Sequence, residues 1–202
     1  MNALYKKILD TNYLPKFVSI LVIILINWTF QSLLYMDKTE KIFKLMLDLI
    51  LFIIFFIILK QLMIMYIAII ISLIIAHTIN WMINGHIFAL LKTFGIVRTK
   101  PEIFIRYLNN LKEKSSNEES ILLTATFGSI SREELKETSD LDIRIVRKKG
   151  YINGFKSCIF TMIERSWAFF NKFPIDIYVL DEPKKLEELK ESPIILYEYY
   201  QQ

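Results

Sequence analysis

Asp140 and Asp142 stand one residue apart in "SDLDIRIV", a stretch that alternates apolar and polar residues. Period-two alternation predicts a strand. It puts Asp140, Asp142 and Arg144 on one face and Leu141, Ile143 and Ile145 on the other. Two carboxylates then point the same way, about 7 Å apart along the strand. Like charges on a half-buried face are costly unless a cation lies between them. Oxygen ligands of this kind suit Mg²⁺ when phosphates complete its shell. A third acid, Asp176, lies in "PIDIYVL", a second strand-like run with Tyr178 on the same side. Upstream, Gly128-Ser129 directly follows the apolar run "ILLTATF". Glycine there lets a ligand approach the backbone, and a helix starting at that point would offer N–H groups and a hydroxyl to phosphate. Asp-x-Asp or Gly-Ser alone says little, but both in register with a third acid predict a phosphate cradle beside a site for two metal ions. Such ions would activate a nucleophile and stabilise a leaving pyrophosphate.

The elements that must position these residues occupy the second half of the chain. "PEIFIRYLNNLKEK" (101–114) predicts a helix with Phe104, Tyr107, Leu108 and Leu111 as its core stripe. Strands are predicted at 121–127, 140–146 and 174–180, with a short helix over 129–137. Residues 155–170 read as an amphipathic helix that buries Phe155, Cys158, Ile159, Met162, Ile163, Trp167 and Phe170. Asp181 and Pro183 predict a capped short helix to about Lys190, and "SPIILYEYY" a final strand or packed tail. About a hundred residues of this kind make a small α/β domain. Arg144, on the aspartate face, reads as a partner for phosphate or for a carboxylate. Tyr178 reads as strand packing, and Lys148-Lys149 as a solvated loop.

The first half differs in kind. The chain has 202 residues, 53% of them hydrophobic, and the excess falls in three runs at 17–36, 45–59 and 62–83. Residues 1–100 carry ten Lys/Arg against four Asp/Glu, whereas residues 101–202 carry fifteen against seventeen. The net +4 therefore belongs to the apolar half, which argues against a nucleic-acid surface and for lysines flanking membrane segments. The expected division is 1–92, a membrane region, and 93–202, a soluble domain. "DKTEKIFK" (37–44) reads as a charged loop. The absence of Gly, Pro or Asn at Lys60-Gln61 favours a continuous helix over 45–83, while the three apolar segments leave the number of full crossings open. Two crossings keep both ends on one side; three would export Lys6, Lys7 and Lys16 against the positive-inside tendency. No small-residue cleavage site follows the first run, and further apolar runs come after it, so it does not read as a cleaved signal. Asp48, His77, Asn80, Asn84 and His86 read as interfacial anchors beside Trp81 rather than as a transport path. The single cysteine, Cys158, fits a helix core face.

"GSISREELKETSDLD" resembles the signature of the DNA polymerase β-like nucleotidyltransferase superfamily, and most closely its minimal branch. That pattern is Gly-Ser, an Arg shortly after, then Ser-Asp-hydrophobic-Asp. With "PIDIYV" as the third-acid strand and "ESPIILYE" as the tail, the resemblance covers most of 121–198. It implies an α+β (mixed α/β) domain with a mixed sheet and flanking helices. It implies that Gly128 and Ser129, with Arg132 and Ser139 near them, bind the nucleotide phosphates. Asp140, Asp142 and Asp176 would be the catalytic, metal-holding residues for two Mg²⁺ ions, with an NTP, ATP first among candidates, as donor. The family often has Gly where this chain has Glu133, and the apolar half is foreign to minimal members. The expected function is a multi-pass membrane nucleotidyltransferase with its catalytic domain in the cytoplasm, using a hydroxyl of a protein, glycan or lipid as acceptor. The alternatives are a non-catalytic nucleotide-binding regulatory or antitoxin-like membrane module, a glycosyltransferase using "SDLD", and, least of all, a transporter.

Overall fold

A computed structural model describes residues 15–92, 94–189 and 191–199. Lys6, Lys7 and Lys190 lie outside them. The apolar half forms α1 (Lys16–Phe30), α2 (Lys38–Leu59) and α3 (Met65–Asn84), followed by the short α4 (Ile87–Lys92). The remainder is α5 (Pro101–Asn117), β1 (Ile121–Phe127), β2 (Leu141–Arg147), α6 (Tyr151–Phe170), β3 (Ile175–Leu180), the single-turn α7 (Lys184–Glu187) and β4 (Ile194–Glu198).

The sheet has the order β3-β2-β1-β4. Its β1–β2 and β1–β4 pairs are antiparallel; β2–β3 is parallel, with α6 as the crossover. The result is a mixed α+β domain with a four-stranded mixed sheet and flanking helices, preceded by two apolar helices. One face of the sheet carries Leu141, Ile143, Ile145, Ile175 and Ile177 into a core with Phe104, Tyr107, Leu108 and Leu111 of α5. That is the predicted α5 stripe. Pro101 begins the helix, where its missing N–H has no intrahelical partner to lose.

Four expectations fail for physical reasons. Residues 37–44 are not a loop: Asp37 precedes α2 and residues 38–44 are its first turns, because Glu40 and Lys44 are buried against partners in other elements. Residues 45–83 are not one helix. Residues 60–64 turn the chain, and α3 returns along α2, with Asn80 donating to the Lys44 carbonyl (3.1 Å) and to Asp48 (2.9 Å). No helix forms over 129–137, where hydrogen-bonded turns run through Gly128 (φ +74°) and Glu133 (φ +58°). Glu133 takes a left-handed conformation that costs a side-chain-bearing residue about 1–2 kcal/mol, at the position where the family often has glycine. Lastly, α6 begins four residues early and buries a different face, which keeps Cys158 of the predicted stripe: Ser157, Cys158, Thr161, Glu164, Arg165 and Ala168 are inside, while Phe155, Ile163 and Phe170 are exposed.

The buried polar face of α6 meets the apolar half. Arg165 donates to the Ile177 carbonyl, to Asn84 Oδ1 (2.7 Å) and to Glu40. The second oxygen of Glu40 accepts the Val179 N–H (2.8 Å), and Asp37 accepts the Asp181 N–H (2.8 Å). β3 is an edge strand, and an unpaired edge invites association. Here the start of α2 satisfies it with carboxylates.

Candidate active site

All seven predicted residues line one cleft of about 820 Å³. Asp142 and Asp176 face each other across the parallel β2–β3 pair, in direct register. Asp140 precedes β2. Asp142 is the group most perturbed by this crowding. Burial first, then the charges of Asp176 and Asp140, push its carboxyl up to about 7 against the opposing pull of Arg144, and it shares a hydrogen bond with Asp176. Arg144 reaches toward Asp176 (3.7 Å) and lies over the Tyr178 ring (4.7 Å).

Gly128 directly follows β1, whose last residue, Phe127, pairs with Asp142. A Cβ there would come within 2.4 Å of Asp142 Oδ2. Only glycine fits, for that reason and for its positive φ. Its N–H donates to Glu191 Oε2 (2.9 Å), and Arg132 also pairs with Glu191. The phosphate-cradle expectation is therefore corrected in form: a turn presents one backbone donor and an arginine, not a helix N-terminus. Ser129 Oγ is buried without a partner, a donor left over beside the cradle. Ser139 accepts the Lys136 N–H (3.0 Å) and closes the turn before Asp140.

The apolar half supplies residues that the motif does not contain. Lys92, at the end of α4, places Nζ 2.6 Å from Asp140 Oδ1. His86 donates Nε2–H to the Ile177 carbonyl (3.0 Å) and lies 3.6 Å from Asp176. Burial, with Arg165 and Lys44 nearby, pushes its imidazole well below the usual histidine range, so it is neutral. Asn27, Ser32 and Tyr35 complete this wall. Burial also lifts the Tyr178 hydroxyl well above its ordinary range, and a hydrogen bond ties it to Ser32. Lys92 has no sequence signal, since tertiary packing brings it in; Glu191 opens the tail run "ESPIILYE", but only the fold shows that it reaches Gly128.

Among the described residues no three His, Cys, Asp or Glu side chains stand close enough together to hold a metal as they are. Lys92 instead pairs with Asp140. The donor set still suits a hard divalent cation: one carboxylate on each of two adjacent strands and a third just before β2, with Asp142 pushed up to about 7 by burial and then by its neighbours' charges.

Residues 105–201 match the family model of the nucleotidyltransferase domain. That span holds all seven predicted residues but not Lys92 or His86. No curated protein and no solved structure matches the chain. Cys158, outside the cleft, is buried and its thiol is pushed up to about 12, so it is inert.

Proposed function

We propose that the chain is a membrane-anchored nucleotidyltransferase that moves a nucleoside monophosphate from an NTP, ATP first among candidates, to a hydroxyl. The carrying observation is the in-register Asp142–Asp176 pair, with Asp140 beside it and Gly128 packed against Asp142. Gly128 N–H, Ser129 and Arg132 would hold the triphosphate once Glu191 moves off. Asp176, at the far side of the pair, would take the proton of the attacking hydroxyl. Asp140, Asp142 and Asp176 would hold two Mg²⁺ ions, which when bound neutralise the phosphates and the leaving pyrophosphate. Ser139 fixes the turn that aims Asp140.

The bilayer reading rests on α2 and α3. Both are long and apolar enough to cross a membrane, and only 6% of the most apolar stretch of α2 is buried. Such low burial supports a bilayer-facing helix over a soluble protein's core helix. Leu49, Ile50, Ile53, Ile54, Ile57 and Ile58 of α2 face outward. A hairpin of two crossings returns the chain to the side it left, which we take to be the cytoplasmic side, where NTP is found. Several polar residues between the helices are paired: His77 Nδ1 lies 3.2 Å from Asp48, and Lys44 donates to the carbonyls of Gln31 and Asn84 (2.9 Å each). These contacts bind the helices together.

The test uses the full chain in detergent with α-labelled NTPs and Mg²⁺. Pyrophosphate release and label transfer should be lost by at least about 10³-fold in Asp140→Asn/Asp142→Asn, the scale expected when groups acting only on the transition state are removed. Turnover that survives in that variant overturns the assignment. Tight NTP binding with no pyrophosphate release would favour the non-catalytic module.

A further inference from the structure

We infer that the acceptor is a hydroxyl on the headgroup of a bilayer lipid, taken at the end of the cleft that the apolar half walls. This rests on the nucleotidyltransferase reading and adds its substrate class. The strand order β3-β2-β1-β4 gives the cleft two ends. Gly128, Ser129 and Arg132 follow β1 and lie against Glu191, the residue leading into β4, so they form the nucleotide end. Asp176 is on β3, at the opposite edge, so the acceptor must enter there.

Among the described residues no strand pairs with β3 beyond Asp176. The wall is His86, Ser32 and Tyr35, from the corners that end α3 and join α1 to α2. These corners are also the polar ends of the apolar helices. Tyr35 lines the cleft and is 60% exposed, and Leu34 beside it is 73% exposed. Leu45, Met46 and Leu49, about two to three turns into α2, continue the apolar surface outward. The acceptor mouth therefore opens where apolar surface gives way to polar, the level at which a bilayer keeps its headgroups. Tyr151 and Ile152 at the start of α6, almost wholly and largely exposed, extend that surface onto the catalytic domain. They lie near α2, for Phe155 packs on Phe43 with ring centres 5.6 Å apart. Lys38 is exposed at the same level and suits an anionic headgroup layer.

In the step, the headgroup oxygen forms a bond to the α-phosphorus of the NTP. The bond from that phosphorus to the bridging oxygen of pyrophosphate breaks. The hydroxyl proton passes to the Asp176 carboxylate, and pyrophosphate leaves with the electron pair. The product is a lipid carrying the nucleotide through a phosphodiester.

The experiment reconstitutes the full chain in two kinds of vesicle: phosphatidylcholine alone, and phosphatidylcholine with phosphatidylglycerol and phosphatidylinositol, whose headgroups carry free hydroxyls. With α-labelled NTP, label should enter the organic phase only with the second kind, and be lost in Asp140→Asn/Asp142→Asn. Leu34→Glu, on an exposed site outside the cleft, should cut lipid labelling roughly tenfold by placing a charge against the headgroup region. It should leave slow release of NMP to water and the circular dichroism unchanged. Protease-sensitive label on the protein, or NMP and pyrophosphate formed equally in both vesicles, overturns the lipid acceptor and leaves nucleotidyl transfer standing. If no NTP is turned over under any condition, the nucleotidyltransferase reading itself fails.

Discussion

Two side chains sit where the proposed reaction puts the charges of its substrates. Lys92 lies on Asp140 as a cation would, and Glu191 lies on Gly128 N–H and Arg132 as a phosphate oxygen would. Under the proposed function each is an internal competitor. Glu191→Gln should therefore lower the KM for NTP several-fold with kcat little changed, measured by pyrophosphate release; an unchanged or raised KM means Glu191 is no competitor. Lys92→Met should tighten Mn²⁺ binding to the nucleotide-free protein by about tenfold, near the worth of one charged hydrogen bond, read by titration calorimetry. Asp142 gives a pH signature. Its folded carboxyl is raised from 3.8 to about 7, so between those values the folded state holds a proton that the unfolded state has released. Its contribution thus favours folding at low pH and is lost as pH rises toward 7. In EDTA, Asp142→Asn should raise Tm more at pH 8 than at pH 5, and Mg²⁺ should stabilise the native protein more at pH 8. Equal shifts at both pH values would show that the site does not strain Asp142.

At the scale of elements, the strands and their aspartates were legible because period-two alternation states which face each residue takes. The core stripe of α5 was legible for the same kind of reason. The buried face of α6 was not. Its apolar residues form a helical stripe, yet Phe155 and Phe170 stay exposed while Glu164 and Arg165 go inside, because partners on other elements satisfy them. Tyr107 and Lys114 hold Glu164 (2.8 and 2.7 Å), and Glu40 and Asn84 hold Arg165. No single-segment pattern contains a partner 125 residues away. The same blindness made 37–44 look like a loop, since a charged run at a helix start reads as solvated until its partners are known. The Glu40–Arg165 pair gives a test. Both side chains are 1% exposed. Replacing one member of a buried pair leaves the other charge uncompensated, at a cost of about 3–5 kcal/mol. Glu40→Ala should lose about that much in denaturant unfolding, and also loosen β3 by freeing the Val179 N–H. A loss under about 1 kcal/mol, the range of exposed pairs, would mean that the contact is not formed.

For the whole molecule, the division into an apolar and a polar half was legible in the composition, but their joining was not. The sequence suggests that residues 93–202 are a separable domain. The structure makes α2 the cap of the sheet's edge, α3 a partner of Arg165, and α4 the carrier of the lysine on Asp140. Removing residues 1–92 would strip the N–H groups of Val179 and Asp181 of their carboxylates. It would leave Arg165, 2% exposed, facing the Ile177 carbonyl alone, and open the acceptor end of the cleft. An open strand edge and an uncompensated guanidinium both favour association over a stable monomer. The fragment 93–202 should therefore aggregate, or unfold at least 10 °C or so below the full chain, since about 2 kcal/mol already shifts a hundred-residue domain by that much. Light scattering and thermal unfolding, beside the full chain in detergent, would decide it. A monomeric fragment with an unchanged Tm would show that the halves are independent, and that the catalytic domain does not depend on the apolar half to be complete.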